Sequence, residues 1–392
     1  LCFPPPFPPL PPAPPSPPPP TTTTTTTTLE GWVESSGEWA WLDDDGTMVP
    51  SAVDFAPAAA APSSSSAAGV NDGDRGEGAS LVPPKLPKGE FRPKQSLGQN
   101  FLVDQNTIQR IVDKFGEDAR RGGEAVDGLV ELGPGPGALT QLLIATHGLS
   151  NFLCIEIDPR SVSLLRSSHP GLDVRHSDVL QVSYRDLKEE VVGGEGPGLA
   201  VVGNLPYYIT SQILFAFCDA AHFGAVRSAT VTMQLEVGQR LVADTRSRAY
   251  GILSVVFQVY AEGRMHFKIP NTVFYPKPKV TSCLMGLNFH SEEVLKGRLA
   301  GVRPEDLRVV LKACFRQRRK RMRNSLKKLL AARLGEAEAA RVLGAGPVPD
   351  PPLEVRKRAE EGDAFAAGQA LPVGWQDMRP EEITPPQFVE VT

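Results

Sequence analysis

The sequence predicts an α/β protein with a parallel, doubly wound sheet, followed by a smaller helical C-terminal domain. Between residues 128 and 290, short apolar runs of strand length alternate with segments of helical periodicity. Strands separated by helices form parallel sheets with helices on both faces. Beyond Glu292 the apolar spacing becomes helical. These two patterns predict an α/β domain at 89–290 and a helical domain at 291–392.

The individual elements follow from the positions of the apolar runs. We expect helices at 138–146 and 158–167, and strands at 128–132, 152–157, 172–175, 199–203, 229–234, 253–260 and 280–288. Pro304 is expected to open a C-terminal helix, because proline is favoured in the first helical turn. A Gly/Pro/Ala-rich stretch at 344–373 predicts a flexible loop or insertion.

The N-terminal region differs from the rest of the chain in composition. Residues 1–28 are almost entirely proline and threonine and carry no charge, and such segments do not build a packed core. We therefore expect residues 1–88 to be a disordered extension. The chain opens with Leu rather than Met, so we expect a fragment whose extension is a possible remnant of an organellar targeting region, although transit peptides are usually basic and serine-rich.

Two classes of protein are disfavoured by simple counts. No apolar run reaches the roughly 18 residues that a membrane span requires, so we expect a soluble protein without membrane contacts. The five cysteines form no CxxC pair, which argues against a zinc site and against a disulfide framework. We expect no metal ion.

Positive charge is concentrated in one C-terminal segment. The net charge is −4, yet no acid occurs from Leu307 to Gly335. A solvated helix face usually mixes both signs, so an unmixed basic run favours a phosphate-binding surface over that alternative. The residues predicted to bind RNA phosphates are Arg316, Arg318, Arg319, Lys320, Arg321 and Arg323.

A glycine-rich turn follows the first strand of the α/β domain. Gly133-Pro-Gly-Pro-Gly137 lets the backbone approach a ligand at a helix N-terminus. Glu156 and Asp158 end the second strand, where an acid bonds ribose hydroxyls. These residues alone fit a nicotinamide cofactor and S-adenosylmethionine about equally, and a purely structural turn is a third possibility. Ser177-Asp178 after the third strand favours the methyl donor, because it can hold an adenine amine.

The fourth strand is followed by Asn204-Leu-Pro-Tyr207. The lone pair of an adenine N6 is delocalised into the ring, so a site that methylates it must hold both N–H bonds and stack the ring. The Asn204 side-chain oxygen and the Pro206 carbonyl can accept those protons, and Tyr207 can stack. The alternative is a helix-entry turn, with Asn204 as cap and Tyr207 in the core.

With these residues together, the chain resembles the KsgA-type small-subunit rRNA adenine N6,N6-dimethyltransferases of bacteria and their organellar relatives. The family has a Rossmann-like class I S-adenosylmethionine-dependent methyltransferase fold. The resemblance covers about 94–330 and rests on seven segments in order: Ser96-Leu-Gly-Gln-Asn-Phe-Leu102, Glu131-Leu-Gly-Pro-Gly-Pro-Gly137, Glu156-Ile-Asp158, Asn204-Leu-Pro-Tyr-Tyr208, Gln234-Leu-Glu-Val-Gly-Gln-Arg240, Phe274-Tyr-Pro-Lys-Pro-Lys-Val280 and Arg318-Arg-Lys-Arg-Met-Arg-Asn-Ser-Leu326.

The resemblance implies a role for each matching residue. The donor contacts carry over to Asn100, Leu102, Gly133, Glu156, Asp178 and Asn204, although Gln99-Asn100 fits a helix cap equally well and Asp158 is a secondary candidate that fits the cap of the next helix. The target adenine is assigned to Asn204, Pro206, Tyr207 and Phe274. A core aromatic is the alternative for Phe274. Many relatives have Asn in place of Tyr208.

The implied activity is dimethylation of two adjacent adenosines in the 3′-terminal hairpin loop of small-subunit rRNA, during ribosome biogenesis. The expected partner is rRNA within a pre-ribosomal small subunit, and the enzyme is expected to be a monomer. The proline and threonine tracts beside a bacterial core favour a plastid location, with the mitochondrion as alternative. Other possible functions are a non-catalytic ribosome-assembly or organellar transcription factor, a large-subunit rRNA methyltransferase and, disfavoured, a nicotinamide oxidoreductase.

Overall fold

The computed structural model describes residues 92–94, 97–120, 128–194, 196–344 and 350–392, together with the backbone of three short N-terminal strands. These strands, β1 (Trp32–Ser35), β2 (Glu38–Leu42) and β3 (Met48–Val49), pair antiparallel in one sheet. The disordered extension expected at 1–88 stays a prediction, because most of that stretch lies outside the described residues.

A seven-stranded sheet organises the rest of the described chain. Its strand order is β10-β12-β9-β8-β5-β6-β7. The strands from β5 to β9 are parallel, as predicted, whereas β12 and β10 add antiparallel at one edge. A separate antiparallel ladder joins β4 to β11. The bounds in chain order are β4 (Phe101–Leu102), β5 (Leu129–Leu132), β6 (Phe152–Glu156), β7 (Asp173–His176), β8 (Leu199–Asn204), β9 (Val226–Gln234), β10 (Ala261–Ile269), β11 (Phe274–Tyr275) and β12 (Ser282–Phe289).

Helices cover both faces of this sheet and form the C-terminal part of the chain. Pro304 stands at the first turn of its helix, as predicted. No helix in the described part of the chain combines the length and apolar character needed to cross a bilayer. The bounds are α1 (Gln105–Ala119), α2 (Thr140–His147), α3 (Pro159–Ser168), α4 (Tyr184–Val192), α5 (Thr210–Ala221), α6 (Leu235–Leu241), α7 (Ile252–Tyr260), α8 (Glu292–Leu299), α9 (Pro304–Arg316), α10 (Met322–Leu334), α11 (Glu336–Leu343), α12 (Leu353–Glu360), α13 (Ala364–Ala367) and α14 (Pro385–Val391).

The core consists of two apolar clusters, one on each face of the sheet. Successive residues of a strand point to opposite faces, so Val130 and Leu132 of β5 belong to one cluster and Leu129 belongs to the other. The first cluster continues into the C-terminal helices, with Leu311 and Phe388 fully buried in it. The α/β part and the C-terminal helices therefore share one continuous core.

The strand predicted at 253–260 is wrong, because this segment is helix α7. Nearly every residue of the segment is apolar, and periodicity cannot distinguish a fully buried helix from a buried strand. The helix packs against α6, β10 and the C-terminal helices α8, α9 and α14, so all its faces are covered. At its start the Gly251 amide donates to Ser254 Oγ at 3.0 Å. The strand that follows, β10, was not predicted.

The loop expected at 344–373 is wrong over part of its length. Helices α12 and α13 lie inside it, and the Asp363 side chain caps α13 by accepting from the Phe365 and Ala366 amides. Only Val355 of α12 is fully buried, so the apolar pattern that normally reveals a helix is weak here. Residues 345–349 lie outside the described residues, and flexibility of the segment stays a prediction.

Candidate active site

The predicted donor residues meet at one edge of the sheet. Strands β8, β5 and β6 are neighbours and run parallel, so their carboxyl ends lie side by side, where open α/β sheets bind ligands. Asn204 ends β8, Glu156 ends β6 and Gly133 follows β5. Asp178 comes after β7 and is partly buried, with its Oδ1 accepting from the Leu180 amide at 2.9 Å. The topology thus brings these four residues to one edge.

The glycine-rich turn combines tight packing with open space. Gly133, Gly135 and Gly137 have φ of 61°, 56° and 91°, in the left-handed region that favours glycine. A Cβ on Gly135 would lie 2.8 Å from a ring carbon of Phe101, whereas a Cβ on Gly133 would meet nothing within 4 Å. The turn therefore leaves room for a ligand beside Gly133, where the sequence predicts that the backbone approaches one.

Glu156 fixes the shape of this turn. Its side chain is buried, its Oε2 accepts from the Gly135 amide at 2.8 Å, and its Oε1 accepts from the Asp158 amide at 2.8 Å. Burial raises the pKa of this carboxyl, against the lowering effect of the Asp158, Gly135 and Ile157 amides. Each carboxylate oxygen has a second lone pair, so Glu156 retains the capacity to accept from ribose hydroxyls.

Asp158 serves as a structural anchor, which confirms its predicted alternative as a helix cap. It caps α3 by accepting from the Arg160 amide, and it also binds Gln99 Nε2 at 3.0 Å and Lys94 Nζ at 3.4 Å. Burial alone would raise the pKa of Asp158, but hydrogen bonds from Arg160 and Gln99 outweigh it and hold the pKa below its usual range. Asp158 thereby ties the segment before α1 to the sheet edge.

That segment carries Asn100 and Leu102 and crosses the ends of the strands. The Asn100 carbonyl accepts from Asn204 Nδ2 at 2.6 Å, and Leu102 pairs with Phe274 in the β4–β11 ladder. Asp104, rather than Gln99 or Asn100, caps α1. The helix-cap alternative for Gln99-Asn100 is therefore wrong, and both predicted donor residues lie beside the site.

The turn after β8 does not use Asn204 as a helix cap, since the residue before α5 is Ile209 and has no side-chain cap. Asn204 Oδ1 accepts from Thr232 Oγ1, and the Pro206 carbonyl accepts from Thr210 Oγ1 at 2.9 Å. The two predicted acceptor oxygens thus lie at the sheet edge, each beside a threonine hydroxyl.

The two predicted aromatic residues differ in exposure. Tyr207 is partly buried, its hydroxyl lies 2.6 Å from Ser282 Oγ, and burial raises its pKa. Phe274 is fully buried in the core cluster, which agrees with its core alternative; its role opposite the target base stays a prediction. Tyr208 is 63% exposed, and its ring lies against Gly98.

Three polar residues of the site were missed from the sequence, namely Thr210, Thr232 and Ser282. No local motif singles them out, because each reaches the site through strand or helix register. The pairing of Asn204 with Thr232 between β8 and β9 is a property of the sheet. Only the spacing of Thr210, four residues after Pro206, contained a usable signal, since such a hydroxyl can bond the carbonyl one turn earlier.

Several cations of the basic segment bind other groups of the protein. Arg318 donates to Glu381 and to the carbonyls of Arg248 and Ser247, and both Arg321 and Arg323 pair with Asp377. Arg316, Arg319 and Lys320 are exposed. Three of the predicted phosphate ligands therefore hold the C-terminal segment in place in this structure.

Comparisons with known proteins agree with this geometry. Residues 90–350 match the family model described as ribosomal RNA adenine dimethylase. Two curated relatives, both named ribosomal RNA small subunit methyltransferase A, are 40% identical to this chain. The one from Salinibacter ruber aligns over 241 residues, 60% of this chain and 74% of the relative. The one from Moorella thermoacetica aligns over 243 residues, 60% and 78% respectively.

A solved structure shows the same fold. The dimethyladenosine transferase from Plasmodium falciparum superposes with a TM-score of 0.53 at 18% identity, over 74% of this chain and 95% of that one. The family model spans well over half of the present chain, and the motifs that carry the resemblance lie within it. The chain belongs to the ribosomal RNA adenine dimethylase family.

Proposed function

We propose that this protein is an S-adenosylmethionine-dependent rRNA adenine N6,N6-dimethyltransferase. One observation supports the proposal most strongly. Two acceptor oxygens, Asn204 Oδ1 and the Pro206 carbonyl, lie at the same sheet edge as the glycine-rich turn and Glu156. A nicotinamide oxidoreductase has no use for paired acceptors at this position. Family membership supports the same activity.

The residues at the edge fit the methyl donor. Gly133 has open space beside it, Glu156 has lone pairs for ribose hydroxyls, and Asp178 can accept from the adenine amine. Asn100 and Leu102 lie on the segment that would cover the bound donor. When bound, S-adenosylmethionine supplies a methyl group on a sulfonium, which is a good leaving group.

The protein's part in the reaction is to hold and orient the target amine. Asn204 Oδ1 and the Pro206 carbonyl accept hydrogen bonds from the two N6–H groups. These bonds favour a nitrogen lone pair directed at the methyl group, while Tyr207 stacks on the base. Alignment of the reacting atoms supplies most of the acceleration. The proton lost from N6 passes to water, so the chain needs no strongly basic side chain.

We also propose a specific RNA substrate. We assign it to two adjacent adenosines in the 3′-terminal hairpin loop of small-subunit rRNA, met within a pre-ribosomal small subunit. The names of the curated relatives support the small subunit. Exposed Arg316, Arg319 and Lys320 provide the phosphate contacts. The protein is expected to act as a monomer.

A plastid location, with the mitochondrion as the alternative, is part of the proposal. It is supported by a bacterial-type enzyme preceded by proline and threonine tracts. Antibodies raised against residues 89–392 and applied to separated organelles of the source cells test this location. A signal confined to the cytosolic fraction would contradict it.

The activity is tested with the full chain, labelled S-adenosylmethionine and small ribosomal subunits that lack the modification. After nuclease digestion, N6,N6-dimethyladenosine is the expected product, and Asn204→Ala should lose about 100- to 1,000-fold in rate, as when one preorganised polar contact is removed. Subunits that are bound but never methylated would instead favour the assembly-factor alternative.

A further inference from the structure

Two buried threonine hydroxyls stand directly behind the two acceptor oxygens of the site. Thr232 on β9 is 0% exposed and donates to Asn204 Oδ1. Thr210, at the start of α5, is 1% exposed and donates to the Pro206 carbonyl at 2.9 Å. Buried hydroxyls are almost always hydrogen-bonded, and here both donate to the oxygens that are assigned to the target amine.

The orientation of the Asn204 amide follows from its neighbours. The Asn100 carbonyl, 2.6 Å away, can only accept, so the group facing it is the NH₂ of Asn204. Oδ1 must then face Thr232, and the Thr232 hydroxyl must be the donor. An amide oxygen has two lone pairs, so Thr232 takes one and leaves one for the substrate.

The Pro206 carbonyl is held in a different way. It accepts from Thr210 Oγ1 at 2.9 Å and, through a longer contact of 3.4 Å, from the Ile209 amide, so a target amine has to displace or share the weaker of these two hydrogen bonds. Because it belongs to the backbone, its direction is set by the turn, whereas the direction of Asn204 Oδ1 depends on side-chain contacts. The two acceptors therefore differ in how much they rely on a threonine.

We propose that Thr232, with Thr210 in a lesser role, is a positioning residue that aims the acceptor oxygens at the amine, and that it matters most for the second methyl transfer. This inference rests on the proposed dimethyltransferase activity. Adenine N6 offers two protons in the first transfer but only one after a methyl group has been added. The second transfer then depends on a single hydrogen bond, so an acceptor that wanders in direction is more harmful at that step.

The test uses Thr232→Val, which removes the hydroxyl at nearly constant volume, and Thr232→Ser, which keeps it. Thr230→Val is the matched control: Thr230 lies two residues away on β9, is equally buried and donates to Asp118 at 2.7 Å, away from the acceptors. Single-turnover rates and the ratio of monomethyl- to dimethyladenosine are measured with unmodified small subunits. Binding of S-adenosylhomocysteine is measured by calorimetry.

Thr232→Val is expected to slow the first transfer by about three- to tenfold, the range that one neutral hydrogen bond supports, and to raise the monomethyl fraction at equal conversion. Thr232→Ser should restore both. Thr210→Val should shift the ratio less. Thr230→Val should leave the ratio unchanged, even if it lowers stability. The product ratio does not depend on the fraction of folded enzyme, so partial misfolding does not mask the result.

The outcomes separate the two proposals. A wild-type protein that makes no methyladenosine would overturn the proposed function and, with it, this inference. A wild-type protein that dimethylates RNA, with Thr232→Val giving the wild-type product ratio, would overturn the inference alone, whatever the change in rate. A ratio shift in Thr230→Val equal to that in Thr232→Val would also overturn it, because the effect would then follow from buried hydroxyls in general.

Discussion

The sheet edge and the basic C-terminal segment hold their polar groups in opposite ways. At the edge, Glu156 and Asn204 are fixed by backbone groups and a neutral hydroxyl, and each keeps a lone pair for a ligand. In the basic segment, Arg318, Arg321 and Arg323 use their charges on acids more than 50 residues later in the chain. The edge keeps acceptor atoms open to a ligand, whereas half of the predicted phosphate-binding cations bind the protein itself.

The difference shows how reliably each kind of sequence pattern predicts where its residues lie. A motif at the end of a parallel strand has its position fixed by the topology, so its residues converge whenever the strands are identified correctly. A run of like charges has no such constraint, because distant acids can neutralise it. Substitutions in the two regions test this contrast.

The largest effect concerns Glu131, which is buried beneath the edge on β5. Burial raises the pKa of Glu131 from 4.5 to about 8. The folded state therefore keeps a proton that the unfolded chain loses, so stability falls as pH rises from about 4.5 to 8, with a slope of up to about 1.4 kcal/mol per pH unit. Glu131→Gln resembles the protonated form and should remove this slope.

Urea unfolding of wild type and Glu131→Gln at pH 5, 6, 7 and 8 provides the measurement. The variant should gain stability relative to wild type at each step. Parallel stability curves would mean that Glu131 is ionised in the folded protein at pH 5, and the edge would then be more polar than its burial indicates.

Glu156→Gln tests the carboxylate that shapes the glycine turn. The substitution places an NH₂ opposite either the Gly135 or the Asp158 amide, so one hydrogen bond is lost and two donors face each other. The affinity for the methyl donor should fall by roughly 10- to 100-fold, since hydrogen bonds to charged groups contribute about 1.5–3 kcal/mol. Calorimetry with S-adenosylhomocysteine measures it, and Glu117→Gln, an exposed carboxylate on α1, is the control. Unchanged affinity in Glu156→Gln would remove Glu156 from the donor site.

Much of the edge was predictable from the sequence, and the reasons are local. Gly133, Glu156 and Asn204 each end or directly follow a strand with a clear apolar run, so both their place and their proximity could be predicted. Thr232 could not be, because its role depends on which strand lies beside β8. Helix α7 was mistaken for a strand because burial on all sides removes the polar face that reveals helical periodicity.

Arg318 and Arg319 form an adjacent pair that tests the basic segment. Arg318→Ala removes the bond to Glu381 and leaves the carbonyls of Ser247 and Arg248 without that donor. We expect it to lower the free energy of unfolding by about 1–2 kcal/mol, because the guanidinium is partly solvent-screened. Because Arg319 is exposed, Arg319→Ala should change the free energy of unfolding by less than about 0.5 kcal/mol. Equal effects in chemical denaturation would contradict the structural role of Arg318.

The smallest effect is on RNA affinity. Arg319→Ala should weaken binding to an rRNA hairpin uniformly across loop sequences and reduce the slope of log affinity against log salt by about 1, as for loss of one phosphate contact. Fluorescence anisotropy at several salt concentrations measures the slope, with Lys357→Ala on α12 as a control outside the basic segment. A slope equal to that of wild type would exclude Arg319 from the RNA interface.

The short β4–β11 ladder has a thermodynamic consequence. It sets Leu102, assigned to the donor, directly opposite Phe274, assigned to the target base. If both molecules bind preferentially to the ordered ladder, the two binding events are linked. The factor by which donor tightens RNA binding must then equal the factor by which RNA tightens donor binding. A two-residue ladder would in that case make the enzyme hold its methyl donor more firmly when a substrate is present to receive the methyl group.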